Sequence, residues 1–138
     1  MKGLEILTRI LVVDDEAGIR HIIQLALSPY DVTVLEAETG VEGLSLALSQ
    51  YPDVIILDFR LPDLSGDLVA ERYRASGGVA PIILLSASAE VDLLVKHPAI
   101  TAALSKPFRL AHLCETLETL MNRPLTRSES KESPSDRD

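Results

Sequence analysis

Five side chains in this sequence are of the types that phosphoryl chemistry uses: Asp14, Asp15, Asp58, Ser86 and Lys106. An aspartate with a reference pKa of ~3.9 is already an anion at neutral pH, so Asp58 can act as a nucleophile without a general base. Brought into one pocket, the carboxylates of Asp14, Asp15 and Asp58 would repel, by about 4 kcal/mol for a pair ~4 Å apart at an effective dielectric of roughly 20. A hard divalent cation resolves that repulsion. Mg²⁺ held by one or two carboxylates together with phosphate oxygens is its usual arrangement. Lys106 can neutralise charge on a transferring phosphoryl group, and the Ser86 hydroxyl can donate to another of its oxygens.

These residues lie at the ends of apolar runs. Ile10 to Val13 ends in Asp14, Asp15 and Glu16, and Val54 to Leu57, opened by Pro52, delivers Asp58. Pro81 to Leu85 leads into Ser86, and a weaker run from Ile100 to Leu104 leads to Ser105, Lys106 and Pro107. Such short continuous runs read as strands buried on both faces, and Val32 to Leu35 is a further one. Between them the apolar spacing is helical. Ile19, Ile22, Ile23 and Ala26 form one stripe stopped by Ser28 and Pro29, and Val41, Leu44 and Leu48 form another closed at Tyr51-Pro52. A helix from about Gly66 to Ala75 ends at Gly77-Gly78, and a short one around Val91, Leu94 and Val95 is cut by Pro98. Leu110, Leu113, Leu117, Leu120 and Met121 mark the last.

Five β/α units in alternation imply an α/β, doubly wound parallel sheet with helices on both faces. In the order 2-1-3-4-5, strands one and three are neighbours and ligands bind beyond the carboxyl ends of the strands. Asp14 and Asp15 would then meet Asp58, with Ser86 and Lys106 arriving from strands four and five. Periodicity alone does not choose that order over its relatives.

A chain of 138 residues suits one domain with a real core. Its net charge of −8 argues against a nucleic-acid partner, since duplex binding relies on Lys and Arg. The single cysteine, Cys114, has no internal partner and reads as a small core hydrophobe. No run approaches the ~20 apolar residues that span a bilayer. The opening MKGLEILTR lacks the continuous apolar region of a signal peptide. We therefore expect a cytoplasmic protein with no membrane partner. Polar residues dominate from Pro124 onward, so a domain over residues 8–122 and a disordered polar tail over 123–138 are expected.

Four segments, ILVVDDE, VIILDFRLPDLSG, PIILLSA and SKPF, occur here in one order. In that order and at close to that spacing they resemble the marker segments of the response-regulator receiver domain of two-component signalling, most like its single-domain, chemotaxis-regulator type. The resemblance implies a flavodoxin-like receiver fold with Asp58 as phosphoacceptor and Mg²⁺ as cofactor. It makes Asp15 a direct metal ligand, Asp14 the second acidic residue, and the main-chain carbonyl of Arg60 the third ligand. Ser86 takes the place of the switch hydroxyl and Lys106 that of the family's lysine. The implied reaction moves a phosphoryl group from a phosphohistidine of a sensor histidine kinase, or of a histidine-phosphotransfer domain, onto Asp58. The domain later hydrolyses its own acylphosphate and is otherwise no enzyme. Signalling passes by contact with a downstream protein through the fourth helix, fifth strand and fifth helix, and a homodimer is compatible with it.

Some features depart from that pattern. Ala103 stands where an aromatic residue is usual, His97-Pro98 where a Gly-Ala turn is common, and Arg60 is bulkier and more cationic than the usual occupant. They leave open a second reading, a pseudo-receiver that binds partners without being regulated by phosphorylation. A Mg²⁺-dependent phosphohydrolase would carry its nucleophile in a D-x-D setting after the first strand, which Asp14-Asp15-Glu16 does not supply. A flavin-binding variant would bring a phosphate against an acidic loop. Asp63, Asp67 and Glu71 read as a solvated face. His21, His97 and His112 read as surface or interface residues without metal-ligand spacing.

Overall fold

The computed structural model describes residues 8–128, with Ser88 described by its backbone alone. Strands and helices alternate throughout: β1 Thr8–Val13, α1 Ala17–Leu27, β2 Val32–Ala37, α2 Gly40–Gln50, β3 Val54–Asp58, α3 Gly66–Ala75, β4 Ile82–Ala87, α4 Ser88–Leu94, β5 Ala102–Lys106 and α5 Leu110–Met121. All neighbouring strands are parallel and the order is β2-β1-β3-β4-β5, the doubly wound arrangement expected.

The continuous apolar runs are explained by two separate cores. Successive side chains of a strand point to opposite faces, so a strand covered on both sides must be apolar at every position. Leu11, Val13, Ile55, Leu57, Ile82 and Leu84 face one core, shared with Ala47 of α2, Val69 and Tyr73 of α3 and Leu94 of α4. Ile10, Val12, Val54, Ile56, Ile83 and Leu85 face the other, shared with Ile23 and Leu27 of α1 and Leu113 and Leu117 of α5. Cys114 packs part-buried on that second core, and burial, then the charge of Glu118, pushes its thiol pKa up.

Register then sets the height of each strand end. Val13 pairs with Leu57, so Asp14 and Asp58 stand level, one step beyond. Asp58 pairs with Leu85, Ser86 with Ser105, and Ala87 with Lys106.

The strand boundaries differ from those read off the sequence. The fifth strand is displaced by two residues, from Ile100–Leu104 to Ala102–Lys106. Ile100 is buried, but by a turn: its N–H donates to the His97 carbonyl at 3.0 Å. The Thr101 Oγ1 accepts from the Ile82 N–H at 3.0 Å, so Thr101 starts the approach to β4 rather than the ladder. β4 likewise extends past Leu85 to include Ser86, because pairing with β5 continues through a polar residue. The fourth helix is as short as expected, seven residues.

The segment expected to be a disordered tail is ordered where it is described. The Asp31 N–H donates to the Thr126 carbonyl at 2.7 Å, the Ser128 N–H donates to the Pro29 carbonyl at 2.9 Å, and Tyr30 bridges to Arg127. Arg123 bonds the Thr8 hydroxyl at 2.9 Å, and Leu125 packs on the α1–α5 core with its N–H on Glu118. Main-chain bonding of this kind leaves no side-chain pattern, and one leucine is no periodicity. Residues 129–138 of that expected tail lie outside the described residues. A chain ended at Asn122 is expected to lose roughly 1–3 kcal/mol of stability through the Leu125 contact and these bonds. Urea unfolding of the two lengths checks this, and equal midpoints would count against the docking.

Candidate functional site

The carboxyl ends of β1, β3, β4 and β5 share one edge of the sheet, and the residues singled out by chemical type meet there. Asp14 is fully buried; its N–H donates to the Ala37 carbonyl at 3.1 Å, continuing the β1–β2 ladder. Its Oδ1 accepts the Glu16 N–H at 2.9 Å, which turns the chain into α1. Arg20 locks this turn, donating to the Asp14 carbonyl at 2.7 Å and to Glu36 at 3.0 Å. Asp58, the last residue of β3, is 5% exposed, whereas Asp15 is exposed. One oxygen from each of Asp14, Asp15 and Asp58 lies within 4.8 Å of the others.

Lys106, the last residue of β5, reaches across the sheet to this group. Its Nζ stands 2.9 Å from Asp58 Oδ1, 3.1 Å from Asp14 Oδ2 and 3.7 Å from Glu16 Oε1. A cavity of about 360 Å³ opens beside them, with Asp15, Asp58, Arg60, Ser86 and Lys106 in its lining. Three acids with hard oxygen donors so close together match what Mg²⁺ takes.

Burial is the largest influence on the Asp58 carboxyl and raises its pKa. The Lys106 hydrogen bond lowers it, the Asp14 and Asp15 charges raise it, and the balance stands above the ordinary 3.8. For Lys106 burial is again largest and lowers the pKa, but the bond to Asp58 and the charge of Asp14 outweigh it, leaving the ammonium above 10.5. The same ion pair therefore prevails at the lysine and is overcome at the aspartate, by burial first and then by two like charges.

The loop after β3 is held close. The Gly66 N–H donates to the Phe59 carbonyl at 2.7 Å, and Arg60 bridges to Ser65. A Cβ on Gly66 would collide with the Asp58 carbonyl oxygen, so this tight return needs glycine. Asp63 belongs to the same support. Although exposed, it accepts from the N–H groups of Gly40 at 2.7 Å, Val41 at 2.9 Å and Leu64 at 2.9 Å. The Val41 bond leads the effects that lower its pKa. It ties the β3–α3 loop to the start of α2 instead of merely facing solvent.

The parts played by two further residues escaped the sequence reading. Glu90, in the first turn of α4, accepts from Ser86 Oγ at 3.2 Å and from Arg60 at 3.0 Å. His97 holds the α4–β5 turn: its Nδ1 accepts the Ala99 N–H at 3.1 Å and its Nε2 stands 2.9 Å from Glu71 Oε2. Asp67, Glu71 and His97 also form a compact group, and Asp67 Oδ1 is buried without a hydrogen-bond partner among the described residues. With Nδ1 engaged as an acceptor, the Nε2 of neutral His97 carries the hydrogen toward Glu71, so no lone pair is left for a metal ion. His21 and His112 are exposed, as expected.

A raised folded-state pKa for Asp58 means that the native chain holds this proton more tightly than the unfolded chain. Ionisation therefore costs stability as pH rises through 3.8 to the higher folded value, and the cost is complete above it. Asp58→Asn is expected to melt at a higher temperature than the wild type at pH 7, and the gain should vanish as pH falls to 3.8 and below. Calorimetry across that range checks it. A variant less stable at pH 7 would mean that the Lys106 pair dominates.

Residues 10–118 match the response regulator receiver domain family. The response regulator MprA of Mycobacterium ulcerans (strain Agy99) is 37% identical over 117 residues, 83% of this chain and 50% of that protein. MprA of Mycobacterium sp. (strain KMS) is 35% identical over 128 residues, 91% of this chain and 55% of its own. The chain thus spans about half the length of these curated relatives. Among solved structures, the chemotaxis protein CheY4 of Vibrio cholerae superposes with a TM-score of 0.75 at 29% identity, covering 83% of this chain and 99% of that one. The receiver domain of the Francisella response regulator 1452 gives 0.77 at 26% identity, covering 83% and 97%. Sheet order, acidic cluster and family match agree: the chain belongs to the response regulator receiver domain family of two-component signalling.

Proposed function

We propose that this chain is a phosphoacceptor receiver, taking a phosphoryl group from a sensor histidine kinase or a histidine-phosphotransfer domain onto Asp58. The observation that carries it is a buried strand-end carboxylate, open to a cavity, with an ammonium at 2.9 Å and two more carboxylates within 4.8 Å. In the transfer, an Asp58 oxygen forms a bond to phosphorus. The bond from phosphorus to the donor's nitrogen or oxygen breaks, and its electron pair leaves with the donor. Lys106 pairs with the Asp58 carboxylate beforehand and then faces the negative oxygens of the transferring group. Ser86, 3% exposed in the same cavity, donates its hydroxyl to one of them after a side-chain rotation. Water attack on the same phosphorus later releases phosphate and restores the carboxylate.

Asp14, Asp15, Asp58 and the main-chain carbonyl of Arg60 would hold Mg²⁺, which supplies positive charge to carboxylates and phosphoryl oxygens alike. Beyond this self-phosphorylation and dephosphorylation the chain is a signalling element rather than an enzyme. Its readout is contact with a downstream protein, in the cytoplasm, alone or as a homodimer. Among the described residues no helix is long and apolar enough to cross a membrane.

Incubated with acetyl phosphate and Mg²⁺, the wild type should gain one phosphoryl group by intact mass, and Asp58→Asn should gain none. Asp15→Asn should weaken Mg²⁺ binding more than Asp63→Asn, because Asp63 spends its oxygens on backbone N–H groups. An Asp58→Asn variant that labels like the wild type would displace the acceptor. A wild type that never labels would favour the pseudo-receiver reading.

A further inference from the structure

The group expected to meet a phosphoryl oxygen is already engaged elsewhere. Ser86 Oγ donates to Glu90 Oε1 at 3.2 Å, and the other oxygen of that carboxylate, Oε2, receives Arg60 at 3.0 Å. A single acid in the first turn of α4 thus holds one group from β4 and one from the β3–α3 loop, both of which line the cavity at Asp58. The Arg60 side chain is 76% exposed and is held by this ion pair and by its approach to the Phe59 ring. α4 itself is lightly anchored. It has seven residues, of which Leu94 is buried and Leu93 is 74% exposed.

We propose that Glu90 is a latch: it keeps the Ser86 hydroxyl and the Arg60 guanidinium off the phosphoryl site, and yields both to the phosphoryl oxygens when Asp58 is modified, releasing the start of α4. The proposal rests on Asp58 being the phosphoacceptor and says how modification there reaches the surface. Charge drives the exchange. A phosphoryl group brings about −1.5 to −2 charges and several strong acceptors, which outcompete one carboxylate for a hydroxyl and a guanidinium. The same charge repels Glu90. Ala103, part-buried against the core on the α4 side, has no ring to fill space vacated by Ser86. The polar link through Glu90 takes over that coupling, and it acts on a helix with few apolar contacts to resist it.

Labelling by acetyl phosphate with Mg²⁺, together with amide NMR shifts before and after adding beryllofluoride, tests this on the whole chain. Glu90→Ala frees both groups in the unmodified protein and is expected to label roughly 3- to 10-fold faster than the wild type. It should also lose most of the beryllofluoride-induced shifts over residues 89–95, since α4 is already released. Glu90→Gln keeps an acceptor for Ser86 but drops the ion pair, and should fall between the two. Arg60→Ala removes the guanidinium from both partners, so slower labelling is expected while the Ser86 amide stays at its wild-type position. Unchanged urea midpoints for all three would separate latch from scaffold. Glu90→Ala that labels at the wild-type rate with undiminished shifts over 89–95 overturns the latch and leaves Asp58 as acceptor. A wild type that takes no phosphoryl group overturns both.

Discussion

A single ammonium group sets the geometry of this site. Lys106 Nζ lies between Asp58 at 2.9 Å and Asp14 at 3.1 Å, joining the ends of β5, β3 and β1. Neither carboxylate is exposed enough for water to compensate its charge: Asp14 is fully buried and Asp58 is 5% exposed. A buried ion is tolerable only with a partner and further hydrogen bonds. Asp14 gets these from Lys106 and the Glu16 N–H, and Asp58 from Lys106. The arrangement also depends on the strand order, since the β2-β1-β3-β4-β5 sequence sets the ends of β1 and β3 side by side where Lys106 of β5 reaches both carboxylates.

The rest of the sheet edge works against stability and is held from behind. Three acids share a small volume, and burial raises the Asp58 pKa despite its cation. The two apolar cores on either face of β3 supply the compensating stability, while Gly66 and Asp63 hold the adjoining loop. In the phosphoacceptor role we propose, this crowding keeps the Asp58 carboxylate reactive, and Lys106 exchanges that carboxylate for incoming phosphoryl oxygens.

What could be read from the sequence, and what could not, divides along the same line. Asp14, Asp58 and Ser86 were legible because each ends an uninterrupted apolar run, and a run buried on both faces admits few readings. Lys106 was legible by type and by its SKPF setting, although β5 itself was placed two residues early. Ile100 is buried, as the strand residues are, and burial in a turn leaves the same apolar mark as burial in a ladder. The supports were not legible. Asp63 caps backbone N–H groups more than twenty residues away, and Glu90 bonds an arginine thirty residues away, so neither role leaves a mark in the local spacing. The segment around Thr126 docks through its main chain, which side-chain patterns do not report.

A crystal structure of the chain grown with Mg²⁺ and beryllofluoride tests most directly whether this lysine-centred cluster accepts phosphoryl groups. We predict a tetrahedral beryllofluoride joined to an Asp58 carboxylate oxygen, with Lys106 Nζ and Ser86 Oγ each within hydrogen-bond distance of a fluorine. An adduct on another residue, or a cavity in which Lys106 still pairs with Asp58 at saturating beryllofluoride, would contradict it.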